Sequence, residues 1–263
     1  MAKKPIKKPT KAKKAPPYTT KMFYHEDQPR SLFPLSTNRI LIEEGEDKIV
    51  EHIKNISQGN GSFLPQKTVH ANKDSYHRIQ TVKLDVVSEY FIYDLVRRNR
   101  TRLRKAHKEE KEHYGYRFAD GKPTQPSDSY KKFKLDIWFA GVLSNNRHLT
   151  FDISSYFNNL YHHDLHAWFA ALNPVGANDA EMFGRFLREI NSGRSLDCLP
   201  QGLYPTKMIG NDFLRFIEEH SLLQSEYIYR FMDDICLIDE SEAILSSDFN
   251  TIQRLLGQKG LSI

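Results

Sequence analysis

Two adjacent aspartates, Asp233 and Asp234, lie inside the stretch YRFMDDICLI at residues 229–238. Apolar and aromatic residues flank them on both sides, although aspartate is a poor strand former. Two strand-like runs separated by only two residues predict a tight β-hairpin, with both acids at its turn. A turn explains how the acids are tolerated, whereas repulsion between the two charges favours a cation bound beside them.

A third carboxylate, Asp152, occurs in a similar setting 81 residues before Asp233. It ends a short strand predicted within HLTFDI, residues 148–153, and a neighbouring strand of the same sheet would place it beside the hairpin. Carboxylate oxygens suit Mg²⁺ or Mn²⁺, and two such ions about 3.5 to 4 Å apart can stabilise the attacking and leaving oxygens of phosphoryl transfer. The three aspartates therefore predict a two-metal site for nucleotidyl transfer.

Helices and connections around these acids follow from hydrophobic periodicity, capping residues and turn residues. The pattern predicts four helices, one from about 84 to 112, one over 154–172 that serines begin, one from Asn178 or Asp179 to about Ile190, and one over 205–223 that proline begins. Turn-rich connections are predicted at 57–66 and 119–129.

Composition limits the class of protein. With 39% hydrophobic residues, the chain has no run of the roughly 18 to 20 apolar residues that a spanning helix needs, and its N-terminus lacks the apolar segment of a secretory signal. We therefore expect a soluble, cytoplasmic protein that does not enter a membrane. Cys198 and Cys236 lack the spacing of a zinc module and are interpreted as small core residues.

Positive charge is concentrated at the N-terminus. Residues 1–17 contain seven lysines and no acid, so the remaining 246 residues have a net charge of −2. This composition predicts a disordered basic tail that either binds nucleic acid or only aids solubility. A second basic run at 97–108 would extend the outer face of a helix, where it either follows a phosphate backbone or is balanced by nearby glutamates.

Four stretches in sequence order resemble the palm motifs of reverse transcriptases. They are FDISSYF at 151–157, LPQGLYPTKMIGNDFL at 199–214, YRFMDD at 229–234 and IQRLLGQKGLSI at 252–263. The resemblance implies an RNA-directed DNA polymerase with an α+β fold, in which right-hand fingers and palm contain an antiparallel palm sheet packed on helices.

The resemblance also divides the chain. It implies a disordered basic tail at 1–17, an N-terminal region with the fingers at 18–147, and the palm at 148–263. The fourth motif would continue beyond residue 263 in the family, so we expect a fragment without the thumb.

The metal site can be carried over residue by residue. Asp152, Asp233 and Asp234 match the metal-binding aspartates of the family, and the backbone carbonyl of Ile153 would be a further ligand. Two Mg²⁺ ions are implied, with Mn²⁺ as an alternative.

Substrate-binding roles are implied for other positions. Phe157 matches the aromatic residue beneath the sugar that disfavours a 2′-hydroxyl, although a helix core residue is the alternative. Pro200, Gln201 and Gly202 match a loop at the templating base and incoming nucleotide, where glycine permits close approach of backbone to substrate. Arg78 resembles a fingers arginine that grips the triphosphate.

Two features depart from a simple match. Many relatives have tyrosine where Phe231 stands, so a hydroxyl group near the primer end is absent. The sequence HHDLH places His162 and His166 four residues apart, a spacing that zinc sites use, but the lack of a second ligand cluster favours surface or packing histidines.

Longer stretches at 62–100 and 151–169 are similar to bacterial antiphage enzymes, the defence-associated and abortive-infection reverse transcriptases. The type 3 defence system belongs to this class and implies a non-coding RNA and a second reverse transcriptase as partners, besides an RNA template, a DNA product and dNTPs. A group II intron or retron enzyme is the alternative within the fold. The alternative from another functional class is a catalytically inactive RNA-binding palm that acts as scaffold for a partner polymerase. Three unused acids argue against this alternative, because their mutual repulsion would lower stability.

Overall fold

A computed structural model describes residues 17–72, 78–103, 110–193, 196–197 and 199–263. Most of the predicted basic tail, the second half of the basic run at 97–108, and Cys198 lie outside the described residues. No helix among the described residues is long and apolar enough to cross a membrane.

The described residues form nine α-helices and ten short strands. The helices are α1 (Thr20–Asp27), α2 (Ser36–Ser57), α3 (Val86–Asn99), α4 (Pro126–Ile137), α5 (His162–Ala171), α6 (Asp179–Ile190), α7 (Tyr204–Phe213), α8 (Arg215–Glu218) and α9 (Glu242–Gly257). The strands are β1 (Thr68–Asn72), β2 (Arg78–Val82), β3 (Lys111–His113), β4 (Phe118–Ala119), β5 (Lys122–Pro123), β6 (Arg147–Phe151), β7 (Leu160–Tyr161), β8 (Leu196–Asp197), β9 (Tyr227–Phe231) and β10 (Asp234–Asp239). This mixture confirms the α+β class.

The largest sheet has four strands in the order β3-β9-β10-β6. Strand β10 is antiparallel to both β9 and β6, whereas β3 runs parallel to β9 at the edge. The predicted hairpin and the predicted strand before Asp152 are therefore confirmed as adjacent strands of one sheet.

The prediction of one helix from about 84 to 112 is wrong. Helix α3 ends at Asn99, whose buried side chain donates to the carbonyl of Leu95 and to Asp179. Residues 111–113 instead form β3, held by backbone hydrogen bonds to β9 such as that from Tyr114 to the carbonyl of Arg230 (2.8 Å). Glutamates and lysines favour a helix locally, but pairing with the sheet overrides that preference.

The helix predicted over 154–172 also begins later than expected. Ser155 has a left-handed backbone (φ 49°), which interrupts a helix, and a single 3₁₀ turn follows at Tyr156–Asn158. Residues Leu160–Tyr161 then pair with β8, so the α-helix begins only at His162. This break lets the chain after Asp152 turn back toward the sheet.

Two other helices follow the prediction more closely. Helix α6 extends from Asp179 to Ile190, as predicted. Helix α7 begins at Tyr204 with a proline in its first turn, but it ends at Phe213 and a separate short helix, α8, follows.

Both faces of the four-stranded sheet are covered. Ile228, Ile235 and Leu237 face the main core, which the helices other than α4 share. On the opposite face Cys236 is buried in a smaller cluster with Tyr229 and with Phe133 of α4. The prediction that Cys236 is a small core residue is confirmed. The end of the sheet at the β9–β10 turn is left open between these layers.

Candidate active site

Asp152 lies at the same end of the sheet as the β9–β10 hairpin. It directly follows β6, whose last residue, Phe151, pairs with Ile235 of β10. The hairpin turn is formed by Met232 and Asp233, because Asp234 already pairs with Phe231 as the first residue of β10. The prediction that both acids occupy the turn is therefore wrong by one residue.

Met232 gives the turn its shape. Its backbone is left-handed (φ 59°), a conformation that tight two-residue hairpins require in their loops. The following residue, Asp233, extends from the turn toward Asp152, while Asp234 belongs to the strand. Because side chains alternate along a strand, Asp234 points to the opposite face of the sheet from Ile235.

The electrostatics of Asp233 reflect its crowded setting. The pKa of Asp233 is raised to about 6, chiefly by burial and also by the negative charges of Asp152 and Asp234 and by a hydrogen bond between the carboxyl groups of Asp233 and Asp152. Two carboxyl groups in hydrogen-bond contact need either a shared proton or a cation between them. Their oxygens fit a hard divalent ion such as Mg²⁺.

Asp234 is close enough to affect Asp233 but does not line the same cavity. Within the part of the chain that the structure describes, no three acidic, histidine or cysteine side chains are already gathered as they would be around an ion. The structure thus brings Asp152 and Asp233 together and leaves Asp234 beside them.

A cavity of roughly 360 Å³ opens in front of the two acids. Its walls come from β2, from the segment after β6, from the loop before α7 and from the hairpin turn. The lining residues are Arg78, Gln80, Asp152, Ile153, Ser155, Tyr156, Phe157, Asn158, Gln201 and Asp233. Six residues chosen from sequence therefore meet at one cavity: Arg78, Asp152, Ile153, Phe157, Gln201 and Asp233.

Phe157 forms a fixed wall of this cavity. It is 5% exposed, and its ring lies against Gly210 of α7, where a Cβ atom would come within 3.1 Å of the ring. The Phe157 carbonyl accepts a hydrogen bond from the backbone N–H of Leu199 (2.8 Å), and the neighbouring Tyr156 hydroxyl donates to the carbonyl of Gly210 (2.7 Å). Phe157 is thus both a core residue and a cavity residue.

Strand β2 holds the loop that carries Gln201. The backbone N–H of Gln201 donates to the hydroxyl of buried Thr81 (2.8 Å). Arg78 and Gln80 lie on the same strand and line the cavity. Arg78 is exposed and makes no hydrogen bond or ion pair with another described residue, so its guanidinium is available to an anion.

Gly202 has a different partner from the one expected. Its φ of +103° is left-handed, and a Cβ atom there would lie 2.3 Å from Cβ of Leu32. Leu32 also donates its backbone N–H to the Gly202 carbonyl (3.3 Å). The close approach that glycine permits therefore serves packing against Leu32, and neither Gly202 nor Pro200 lines the cavity.

The histidines of HHDLH have separate surroundings. His162 is buried and hydrogen-bonds Asn191 (3.0 Å). His163 is exposed, and His166 packs against Gly184 of α6. Phe231 packs its ring against Tyr130 and Phe133.

Four cavity residues were not selected from sequence: Gln80, Ser155, Tyr156 and Asn158. Gln80 is two residues after Arg78 on a strand, so the period of two places it on the same face. The other three were assigned to a regular helix, and that assignment concealed the left-handed turn at Ser155 that brings this segment to the cavity.

Neither a scan against protein-family models nor a search of curated proteins finds a match to this chain. The cavity and its residues, together with the order of the sequence motifs, are the basis for a functional proposal.

Proposed function

We propose that the protein is an RNA-directed DNA polymerase that adds dNTPs to a primer by nucleotidyl transfer. The observation that supports this most directly is that Asp152 and Asp233 share one cavity with Phe157, Gln201 and Arg78, although these residues come from four separate segments. The N-terminal region with the fingers would correspond to residues 18–147, and the palm to residues 148–263.

Asp152 and Asp233, with the carbonyl of Ile153, would hold the Mg²⁺ ions, or Mn²⁺ in their place, and Asp234 would add negative charge beside them. When bound, such ions stabilise both the attacking and the leaving oxygen of a phosphoryl transfer. The raised pKa of Asp233 fits this role, because burial and the neighbouring acids disfavour its ionised form and a bound cation would favour that form.

The remaining cavity residues would position the nucleotide. Arg78 presents a planar guanidinium that suits a triphosphate, and Gln80 lies beside it. The rigid ring of Phe157 would lie beneath the sugar and leave no room for a 2′-hydroxyl. A cavity of roughly 360 Å³ is within the usual range for small-molecule sites of about 300 to 1,000 Å³.

The partners would be an RNA template and a DNA product. We further propose bacterial antiphage defence as the setting, with a non-coding RNA and a second reverse transcriptase as partners. The motif similarity to the antiphage class supports this setting.

Single-nucleotide addition tests the proposal. The protein is given a labelled primer on an RNA template with Mg²⁺ and each dNTP, and the Asp233→Asn variant is compared with Glu240→Gln, an exposed acid just after β10. We expect the first variant to lose at least about a hundredfold in rate and the second to retain activity. RNA binding without nucleotide addition by the unmodified protein would instead favour the inactive scaffold, and equal rates in Asp233→Asn would refute the metal site.

A further inference from the structure

Arg230 is the fourth of the five residues of β9 and is completely buried. Burying an unpaired guanidinium is costly, so each of its N–H groups needs an acceptor. Nε and Nη2 contact the same carboxylate oxygen of Glu218 (2.8 and 2.7 Å), and Nη2 also donates to the backbone carbonyl of Asn211 (2.8 Å). Nη1 donates to the Asn211 side-chain oxygen (3.1 Å) and to the backbone carbonyl of Met232 (2.7 Å). All five donors of the guanidinium are thus used.

The contact with Met232 connects this network to the acids. Met232 has the left-handed backbone of the hairpin turn, and its carbonyl belongs to the peptide group that leads into Asp233. A left-handed methionine is unfavourable on its own and persists only where the surroundings hold it. The hydrogen bond from Arg230 to the Met232 carbonyl supplies that constraint from the core side of the turn.

The other end of the network lies on α7 and α8. Asn211 is in the last turn of α7, where a positive charge complements the free carbonyl groups. The Asn211 side-chain amide also contacts Nδ1 of His113 on β3 (2.7 Å). Gly210 precedes Asn211 in α7. The ring of Phe157 packs against Gly210, and the Tyr156 hydroxyl donates a hydrogen bond to the Gly210 carbonyl. One turn of α7 therefore supports both the Phe157 wall and, through Arg230, the Asp233 turn.

We propose that Arg230 is a positioning residue that holds Asp233 in register with the Phe157 wall, by tying the Met232 carbonyl to Asn211 and Glu218. Its catalytic consequence rests on the proposed polymerase function, whereas its effect on the hairpin does not. Displacement of a catalytic group by about 1 Å can lower a rate on the order of a hundredfold.

The test removes both charges at once, because removing Arg230 alone would take away the guanidinium that the buried Glu218 carboxylate contacts. Replacing a buried ion pair by apolar residues of similar volume is often tolerated, so Arg230→Met combined with Glu218→Met is the main variant. The matched control is Arg147→Met combined with Glu242→Met, which removes an exposed ion pair at the edge of the same sheet. Amide hydrogen exchange of residues 227–239 and the kcat and KM for dNTP addition are measured for each protein.

We expect the buried-pair variant to fold, to exchange hairpin amides at least about tenfold faster, and to lose about 10- to 100-fold in kcat while KM changes by less than about threefold. The control should behave like the unmodified protein. Unchanged hairpin exchange and unchanged kcat in the folded variant would overturn the proposal.

Arg230→Lys serves if the double variant does not fold. It keeps a positive charge beside Glu218 but has three donors instead of five, so we expect a folded protein with a smaller loss of kcat and partly accelerated hairpin exchange. A kcat and a hairpin exchange rate equal to those of the unmodified protein would overturn the positioning role. If the unmodified protein adds no nucleotide, the proposed function fails, and the exchange comparison alone then decides the role of Arg230.

Discussion

Asp233→Asn should stabilise the metal-free protein at neutral pH. The pKa of Asp233 is about 6 in the folded protein against an ordinary value of 3.8, chiefly because the carboxyl is buried and secondly because Asp152 and Asp234 are near. The folded protein therefore binds this proton more tightly than the unfolded chain does. As pH rises from about 4 to above 6, the free energy of unfolding decreases, and this loss of stability is complete above the folded pKa.

The size of the effect follows from the two pKa values. Each pH unit between them corresponds to about 1.4 kcal/mol, so the ionised Asp233 destabilises the fold by up to about 3 kcal/mol at pH 8. Asparagine does not ionise, and its amide can donate to Asp152. For a protein of this size, about 3 kcal/mol corresponds to roughly 6 to 12 °C in Tm.

Thermal or urea denaturation in EDTA at pH 4 and pH 8 measures this difference. We expect Asp233→Asn to exceed the unmodified protein in stability at pH 8 and to match it at pH 4, while Glu240→Gln changes neither. Adding Mn²⁺ at pH 8 should raise the Tm of the unmodified protein more than that of Asp233→Asn. A variant that is equally or less stable at pH 8 in EDTA would refute the assigned electrostatics.

Three further outcomes are expected. Phe157→Ala should lower discrimination between dNTP and rNTP, measured as the ratio of kcat/KM values, more than it lowers dNTP addition, and an unchanged ratio would make Phe157 a core residue alone. Gly202→Ala should destabilise the fold by about 2 kcal/mol or more in urea denaturation, and by more than Gly59→Ala, because Gly59 is also left-handed but has open space at its Cβ; equal losses would deny the contact with Leu32. Deleting residues 1–17 should weaken non-specific nucleic-acid binding and flatten its salt dependence in titrations at several salt concentrations, and an identical slope would assign the tail another purpose.

The hairpin and the strand before Asp152 could be predicted because their signals are local. Two strand-like runs of apolar and aromatic residues on either side of a two-residue gap are typical of a hairpin, and the structure places the gap one residue earlier, at Met232 and Asp233. That shift was not readable from sequence, since methionine gives no sign of a left-handed backbone. The strand at Lys111–His113 was missed because its charged residues favour a helix and only pairing with β9 makes them a strand.

Six of the ten cavity residues could be selected from sequence, because two adjacent aspartates and a third at a strand end predict a metal site and because the other positions resemble motifs of reverse transcriptases. Carboxylates, an aromatic ring, an amide and a guanidinium were selected from sequence, and the structure places Asp152, Asp233, Phe157, Gln201 and Arg78 at one cavity. Gly202 was expected to let the backbone approach a substrate, and in the structure its close neighbour is Leu32. Sequence indicates that a backbone must come close to something and does not say to what.

The residues that support the site were not predicted at all, and Arg230 shows why. In sequence it is one arginine in a strand, and a strand arginine is ordinarily exposed to solvent. Only the packing of α7 and α8 behind β9 turns it into a buried group whose five N–H donors meet four acceptor oxygens. The ionised form of Asp233 destabilises the fold, and the turn that carries it contains a left-handed methionine, so this hairpin would relax if nothing opposed it. Arg230 opposes that relaxation from the core side, and a cation between Asp152 and Asp233 would oppose it from the cavity side. The two effects act on the same turn, so we expect them to be coupled: loss of the Arg230–Glu218 pair should weaken Mn²⁺ binding, and bound Mn²⁺ should slow hydrogen exchange of residues 227–239.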